Sequence, residues 1–354
     1  VGIAKKERNL EAVRAGLERW LRARRPEADD LRVAALSRPP AGLSSETLFV
    51  DAAWTESGGD RRESLVARLP PAGEGLFPRY DLTLQARLQE LVAPAGIPVA
   101  VPIALEHDDA WVGAPFLLMP RVPGRVLVSN PPFLRTGWLH DAPPPDQARL
   151  HDGFFAVLAR IHRLDWEALG LGFATRPGRS ALSAELEWWS DYLAWASDGA
   201  PLPVIADALT WCRERHPHPE PPPSLLWGDV QLVNAVFDDE LRLAAVLDWE
   251  MASIGPAEMD LGWFLALHRM TVETIGGDLP GFPDRAATIA SYERRLGREL
   301  ADLRWFEAFA LVRSGAIMVR LARLLADAGV DDSWLTRDNP SLQLLARLVD
   351  GEEL

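Results

Sequence analysis

The sequence predicts an α+β protein of two lobes: a small N-terminal lobe on an antiparallel sheet, residues 1–120, and a larger, mainly helical C-terminal lobe, residues 121–354. Three observations carry this reading. Short β-like runs crowd the first third of the chain, helical periodicity fills most of the rest, and a proline-rich connection (Pro131, Pro132, Pro143, Pro144, Pro145) separates the two regimes.

In chain order, Leu10, Val13, Leu17, Trp20 and Leu21 recur at helical spacing and Pro26 closes the segment, which predicts a leading helix. Runs at Leu31–Leu36, Thr47–Trp54 and Ser64–Leu69 have strand character, and Ser57-Gly58-Gly59-Asp60 supplies a hairpin turn between the last two. A helix from Arg79 to Val92 follows, then an apolar run at Pro115–Met119. Pro120, Pro123 and Gly124 break that run, which places a hinge at Met119–Val122. Beyond the proline-rich connection, helices are expected at Asp146–Leu164, Ala184–Ala196 and Leu202–Arg215. The prolines of His216–Pro223 position what comes next. Two short β runs, Ala235–Phe237 and Arg242–Leu247, flank an Asp238-Asp239 turn, and helices resume at Glu258–Met270, Arg285–Leu296, Leu303–Ala328 and Ser341–Val349.

A content of 48% hydrophobic and 25% charged residues is that of a folded globular protein. The 37 Lys and Arg against 51 Asp and Glu give a formal charge of -14, which disfavours nucleic acid and anionic membrane as partners and favours cationic or metal-carrying ones. Cys212 is the sole cysteine, so no internal disulfide forms, as suits a reducing cytoplasm. The charged amphipathic stretch Lys5–Arg25 has no apolar leader, and no later apolar run is long enough to span a membrane. A soluble, cytoplasmic protein is therefore expected.

The informative stretch is Leu225-Leu226-Trp227-Gly228-Asp229-Val230-Gln231-Leu232-Val233-Asn234, followed by Asp248 in Val246-Leu247-Asp248-Trp249-Glu250. An Asp and an Asn five positions apart on a loop, then an acidic residue at the end of a nearby β run, form the arrangement that metal-assisted phosphoryl transfer needs. One carboxylate faces the acceptor hydroxyl while hard oxygen ligands hold magnesium against phosphates. Asp229 suits the first task, Asn234 with Asp248 the second. Taken alone, the Asp-x-x-x-x-Asn spacing is equally that of a capped turn with solvated side chains; Asp248 and the flanking apolar runs favour the functional reading.

This segment resembles the catalytic loop and metal-binding motif of the aminoglycoside phosphotransferase-like family, relatives of choline kinase. Pro98–Pro102, Gly113-Ala114-Pro115-Phe116, Met119–Gly124 and Asp248–Asp260 also fall where that family carries similar strings, so the resemblance spans roughly residues 30 to 325. It implies a two-lobed protein-kinase-like fold with ATP, or GTP, and Mg2+ between the lobes. It implies Asp229 as catalytic base or hydroxyl-orienting residue, Asn234 and Asp248 as magnesium ligands, and Asp260 as a brace of the catalytic loop through backbone hydrogen bonds. Val246–Phe264 is most similar to the branch that occurs beside, or fused to, acyl-CoA dehydrogenases.

The departures are specific. Trp227 stands where the family usually has histidine, and Arg68, in Leu65-Val66-Ala67-Arg68-Leu69, where it commonly places a phosphate-gripping lysine. Gln85 replaces the carboxylate partner of that lysine, and Glu90 lies about 140° further around the helix. The phosphate-covering loop is expected at Gly42-Leu43-Ser44-Ser45-Glu46-Thr47, with the Ser44 and Ser45 hydroxyls supplementing backbone donors. The nucleotide candidates are thus Ser44, Ser45, Thr47, Arg68, Gln85, Met119 and Arg121.

Glu250 is a secondary candidate, as a second ligand or substrate contact, beside the plainer reading of a solvated side chain. Trp188, Tyr192 and Trp195 at i, i+4 and i+7 read as a core stripe ahead of a substrate-stacking wall, and Glu185, Glu187 and Asp191 as a solvated face ahead of an acceptor-site lining. No histidine spacing suits zinc, and His162 reads as packed and hydrogen-bonded. No Gly-x-x-x-x-Gly-Lys loop, Gly-x-Ser-x-Gly elbow or dinucleotide fingerprint is present. The expected activity is transfer of the γ-phosphoryl group of ATP to a hydroxyl of a small acceptor. Aminoglycoside-like compounds, another metabolite and a hydroxyacyl-CoA all remain open as acceptors. The rival from another class is a catalytically silent nucleotide-binding or scaffold protein, favoured by Arg68, Gln85 and Trp227 and opposed by the intact Asp229, Asn234 and Asp248.

Overall fold

The two-residue turn at Ser57 and Gly58, both at positive φ (52° and 73°), closes the hairpin that organises the first part of the chain. Such a turn matches the right-handed twist of the strands it joins. The computed structural model describes residues 8–39, 42, 44–200, 202–330, 334–337 and 339–352. Lys5, where the charged N-terminal stretch begins, and Leu43 of the expected phosphate-covering loop lie outside them.

The described chain forms two units, one running up to Ala93 and including Val99–Pro123, the other comprising Pro94–Pro98 and the chain from Gly124 onward. In the first unit, α1 (Leu10–Arg24) precedes β1 (Asp29–Val33), β2 (Glu46–Glu56), β3 (Gly59–Leu69), α2 (Leu82–Val92), β4 (Ala104–Glu106) and β5 (Phe116–Pro120). The strands make an antiparallel sheet in the order β1-β2-β3-β5-β4. Alternation assigns its two faces. Leu48, Val50, Ala52, Leu65, Ala67, Phe116 and Leu118 pack with Val13, Leu17, Trp20 and Leu21 of α1. Leu117 and Met119, one residue out of phase, pack with Leu82 and Ala86 of α2.

Some expected boundaries move. The first strand runs Asp29–Val33 and not Leu31–Leu36, and beyond it Ser37 makes an isolated bridge to Phe49. Helix α2 begins at Leu82 and not Arg79, because Asp81 caps it by accepting from the Leu84 amide at 2.8 Å. The short strand β4 carries no alternation long enough to have been read.

The second unit holds β6 (Arg125–Val126), α3 (Pro144–His162), α4 (Ala181–Ser197), α5 (Pro203–Glu214), β7 (Pro223–Leu226), β8 (Ala235–Phe237), β9 (Leu243–Val246), β10 (Ser253–Pro256), α6 (Glu258–Ile275), α7 (Arg285–Leu296), α8 (Leu303–Asp327), α9 (Trp334–Arg337) and α10 (Pro340–Asp350). The strands β6, β8 and β9 form one small antiparallel sheet, and β7 pairs with β10 in another. Helix α8 is the central post: Phe306, Ala308, Phe309, Leu311, Val312 and Ala316 are all but fully buried among the helices around it. No described helix is long and apolar enough to cross a membrane.

Candidate active site

The loop after β7 is shaped by Gly228, whose φ of +93° belongs to the left-handed region that side chains rarely adopt. A Cβ there would lie 2.3 Å from the Met251 carbonyl oxygen, so the tight approach of the loop to the segment before β10 admits only glycine. Gly228→Ala is expected to cost about 1–3 kcal/mol of stability through backbone strain alone. An unchanged urea midpoint would contradict this.

Asp260, in the first turn of α6, holds that loop. Its Oδ2 accepts from the Trp227 amide at 2.7 Å and its Oδ1 from the Gly228 amide at 3.0 Å. His162, at the end of α3, places Nε2 3.0 Å from the same Oδ2. A carboxylate only accepts, so Nε2 carries the proton and Nδ1 accepts from the Tyr292 hydroxyl. Burial and the nearby Asp260 charge raise the Tyr292 pKa well above its ordinary value, which keeps that hydroxyl protonated. His162 is thus packed and hydrogen-bonded, as its place on an apolar helical face suggested.

Trp227, in the family's histidine position, is buried; its Nε1 donates to the Leu247 carbonyl at 2.7 Å. The indole therefore ties the loop after β7 to the residue preceding Asp248. Asp248 adopts a left-handed backbone (φ 60°, ψ 63°), which turns the chain off the end of β9 into the helical turn Trp249–Met251. The Leu247 amide donates to the Asn234 carbonyl at 2.9 Å, so Asn234 and Asp248 stand on adjoining strand ends.

Asp229 is partly accessible and hydrogen-bonded on both oxygens. Oδ1 accepts from Gln231 Nε2 at 2.6 Å and from Trp263 Nε1 at 2.9 Å; Oδ2 accepts from Asn234 Nδ2 at 2.8 Å. Burial and the negative charge of Asp248 raise its pKa above the ordinary aspartate value, against the opposing pull of these three donors. Asn234 Nδ2 is used on Asp229, which leaves Oδ1, the other arm of the planar amide, as its acceptor atom. Beneath the loop, Arg313 of α8 donates to the Gly228 carbonyl at 3.0 Å and lies over the indoles of Trp263 and Trp189, at 4.6 and 5.0 Å.

The second unit thus brings Asp229, Asn234, Asp248 and Asp260 together. Glu250 lies half-buried in the turn after Asp248. The nucleotide candidates lie in the first unit. Thr47 and Arg68 are cross-strand partners on β2 and β3, Met119 pairs with Val66, and Arg121 sits with its guanidinium 4.0 Å from the Phe49 ring. Ser44 and Ser45 are buried just before β2, and Gln85 is buried on α2. Gln85 Nε2 and Ser44 Oγ have no hydrogen-bond partner among the described residues.

One expectation is overturned. Glu185 is not on a solvated face with Glu187 and Asp191; it is 1% exposed, and its carboxylate takes a hydrogen bond from Arg176 Nε at 2.5 Å. A charge so buried requires a partner, and Arg176, 9 residues earlier, supplies it. Helix α4 itself begins at Ala181, capped by Ser180, three residues before the expected start at Ala184. Three residues at the site carried no sequence expectation: Gln231, Trp263 and Arg313. For Arg313 a signal existed, a lone guanidinium inside the apolar stretch Ala308–Val319, which implies a buried acceptor.

The loop after β7 thus carries a half-buried aspartate gripped by amide and indole donors, next to an asparagine and near a second aspartate, and is braced by a third. Residues 35–306 match the family described as the Phosphotransferase enzyme family (APH), and the chain belongs to it. Among curated proteins, acyl-CoA dehydrogenase family member 11 of Rattus norvegicus is 25% identical over 322 residues, covering 87% of this chain and 39% of that protein. The chain thus spans about two-fifths of the length of the curated relatives it matches. The expected likeness to the branch named for acyl-CoA dehydrogenases is borne out by these relatives. Among solved structures, a Ralstonia eutropha JMP134 protein provisionally assigned as an aminoglycoside phosphotransferase superposes with a TM-score of 0.71 at 22% identity, covering 96% of this chain and 98% of that one. The GDP complex of wild-type aminoglycoside 2'-phosphotransferase-IIIa gives a TM-score of 0.59 at 15% identity, covering 95% and 98%. The α+β, kinase-like fold expected from the sequence is the fold of these neighbours.

Proposed function

We propose that this chain is a small-molecule kinase that transfers the γ-phosphoryl group of a nucleoside triphosphate to an acceptor hydroxyl. The observation that carries this reading is the convergence of Asp229, Asn234 and Asp248 on one braced loop pair. In the proposed step the acceptor O–H donates to Asp229. As its oxygen bonds to the γ-phosphorus, the bond to the β,γ-bridging oxygen breaks, the nucleoside diphosphate leaves, and the hydroxyl proton passes to the carboxylate. Asp260, through the two loop amides, keeps Asp229 in place for that approach.

The donor set fits magnesium. Asn234 Oδ1 and the Asp248 carboxylate are hard oxygens, the ligand type of an ion that takes one or two protein ligands and completes its shell with phosphates and water. When bound, magnesium supplies charge neutralisation to the phosphates. Toward the nucleotide, ATP or GTP, we assign Ser44, Ser45, Thr47, Arg68, Gln85, Met119 and Arg121. The unpartnered buried donors Gln85 Nε2 and Ser44 Oγ support that assignment, since each lacks the acceptor that an anion's oxygen would provide.

The acceptors we keep open are aminoglycoside-like compounds, after the names of structural neighbours, and a hydroxyacyl-CoA, the alternative that the acyl-CoA in the names of the curated relatives leaves in play. A panel assay with ATP separates them, because an aminoglycoside kinase phosphorylates kanamycin-like acceptors and ignores acyl-CoA. Calorimetry of ATP binding tests the enzyme reading itself. Magnesium-dependent binding is expected, whereas metal-independent or absent binding would favour a silent scaffold. The pH profile of kcat/KM carries a further prediction. The Asp229 pKa is raised, and the transfer needs the ionised form, so activity should fall as pH drops through a value above the ordinary aspartate pKa of about 3.9. Full activity held down to that ordinary value would exclude Asp229 as the base.

A further inference from the structure

An ionised carboxylate offers about four lone-pair sites, two on each oxygen. At Asp229 the two on Oδ1 are taken, by Gln231 Nε2 at 2.6 Å and Trp263 Nε1 at 2.9 Å, and one on Oδ2 is taken by Asn234 Nδ2 at 2.8 Å. One site on Oδ2 is left. The donor that completes Oδ1 is not part of the loop: Trp263 projects from α6, three residues after the loop brace Asp260, and is 3% exposed. Its indole is held in turn by Arg313 of α8, whose guanidinium lies 4.6 Å from the ring and whose NH2 group donates to the Gly228 carbonyl at 3.0 Å. A single buried side chain therefore touches both the peptide that precedes Asp229 and the indole that fixes its carboxylate. Arg313 is itself 3% exposed, stacks on Trp189 at 5.0 Å, and feels the charges of Glu185, Asp260 and Asp229. These carboxylates offset part of the cost of burying the cation; burial, with repulsion from Arg176, still lowers its pKa.

We infer that Trp263 and Arg313 are positioning residues that fix the Asp229 carboxylate in one rotation, saturating Oδ1 and leaving Oδ2 as the oxygen that receives the acceptor hydroxyl. The inference deepens the proposed kinase function and rests on it for the word acceptor; the geometry it requires does not. Without the indole donor, Oδ1 regains an unfilled site, the two oxygens compete for the hydroxyl, and the productive alignment is populated only part of the time. The loss falls on the chemical step and spares binding, because neither residue is assigned a contact with nucleotide or acceptor.

The test is Trp263→Phe, which keeps an aromatic ring against Arg313 and removes the N–H together with the pyrrole part of the indole; the indole resonance below separates the lost hydrogen bond from the lost volume. With the acceptor identified by the panel assay, kcat should fall about ten- to a hundredfold while the acceptor KM and the ATP Kd stay within about twofold. Arg313→Met should lower kcat in the same way, with Arg313→Lys recovering part of it. Unaltered kcat in Trp263→Phe, or a rise in KM alone, would overturn the inference while the kinase reading stood. A second readout needs no turnover. In protein labelled with 15N-tryptophan, the indole resonance missing from Trp263→Phe identifies Trp263, and that resonance should move in Asp229→Asn. If the wild-type protein phosphorylates nothing, the kinase reading falls, and the indole signal still decides the geometry: movement upholds the hydrogen bond, and a stationary resonance overturns it.

Discussion

Asp229→Asn is expected to lower kcat by about 10²- to 10⁴-fold, the range removed with a positioned general base. The amide keeps the size and planarity of the side chain, so the loop stays in place through Asp260, whose two backbone bonds do not involve Asp229. What disappears is the second acceptor oxygen: an amide offers one carbonyl oxygen and an NH2 group that donates. It cannot take the proton released by the hydroxyl. Nucleotide affinity should change little, since Asp229 is assigned to the acceptor hydroxyl and not to the nucleotide. Steady-state kinetics together with an ATP titration check both halves. Turnover within twofold of the parent would remove Asp229 from the mechanism.

Asp260→Ala should have the largest effect on stability. The carboxylate is fully buried and satisfies the Trp227 amide, the Gly228 amide and His162 Nε2. Truncation strands all three donors in a site without solvent, and orphaned buried donors cost about 1–3 kcal/mol each when they find no substitute. Partial relaxation makes such losses less than additive, so a drop of roughly 3–5 kcal/mol is expected, the scale seen when a buried polar pair loses one member. Transfer should be lost as well, because the loop that presents Asp229 hangs from these amides. Urea denaturation measures the first effect. A midpoint equal to that of the parent would show that the loop is held in some other way.

The elements legible in the sequence were those whose information is local. The hairpin at Ser57 and Gly58, the leading helix and the alternation of β2 and β3 are written in runs of neighbouring residues. So is the spacing from Asp229 to Asn234, and the resemblance that extended it to Asp248 and Asp260. The four short strands β4, β6, β7 and β10 were not legible, because two to four residues are too few to show a period of two; the equally short β8 and β9 were read only because the Asp238-Asp239 turn marks them as a pair. Contacts between distant helices were equally silent. Trp263 lies 34 residues from Asp229 in sequence and Arg313 lies 85 from Gly228, and nothing in either neighbourhood states which face meets the loop. Glu185 shows the same limit from the other side. Its neighbours Glu187 and Asp191 are solvated, and only the proximity of Arg176 makes burial of the third carboxylate affordable in free energy.

Phosphorus NMR of the protein with ATP, magnesium and the acceptor panel puts the central claim to its most direct test. A phosphomonoester resonance should grow in step with ADP and stop when magnesium is chelated. Release of ADP with inorganic phosphate alone, or no turnover with any hydroxyl compound, would contradict the account.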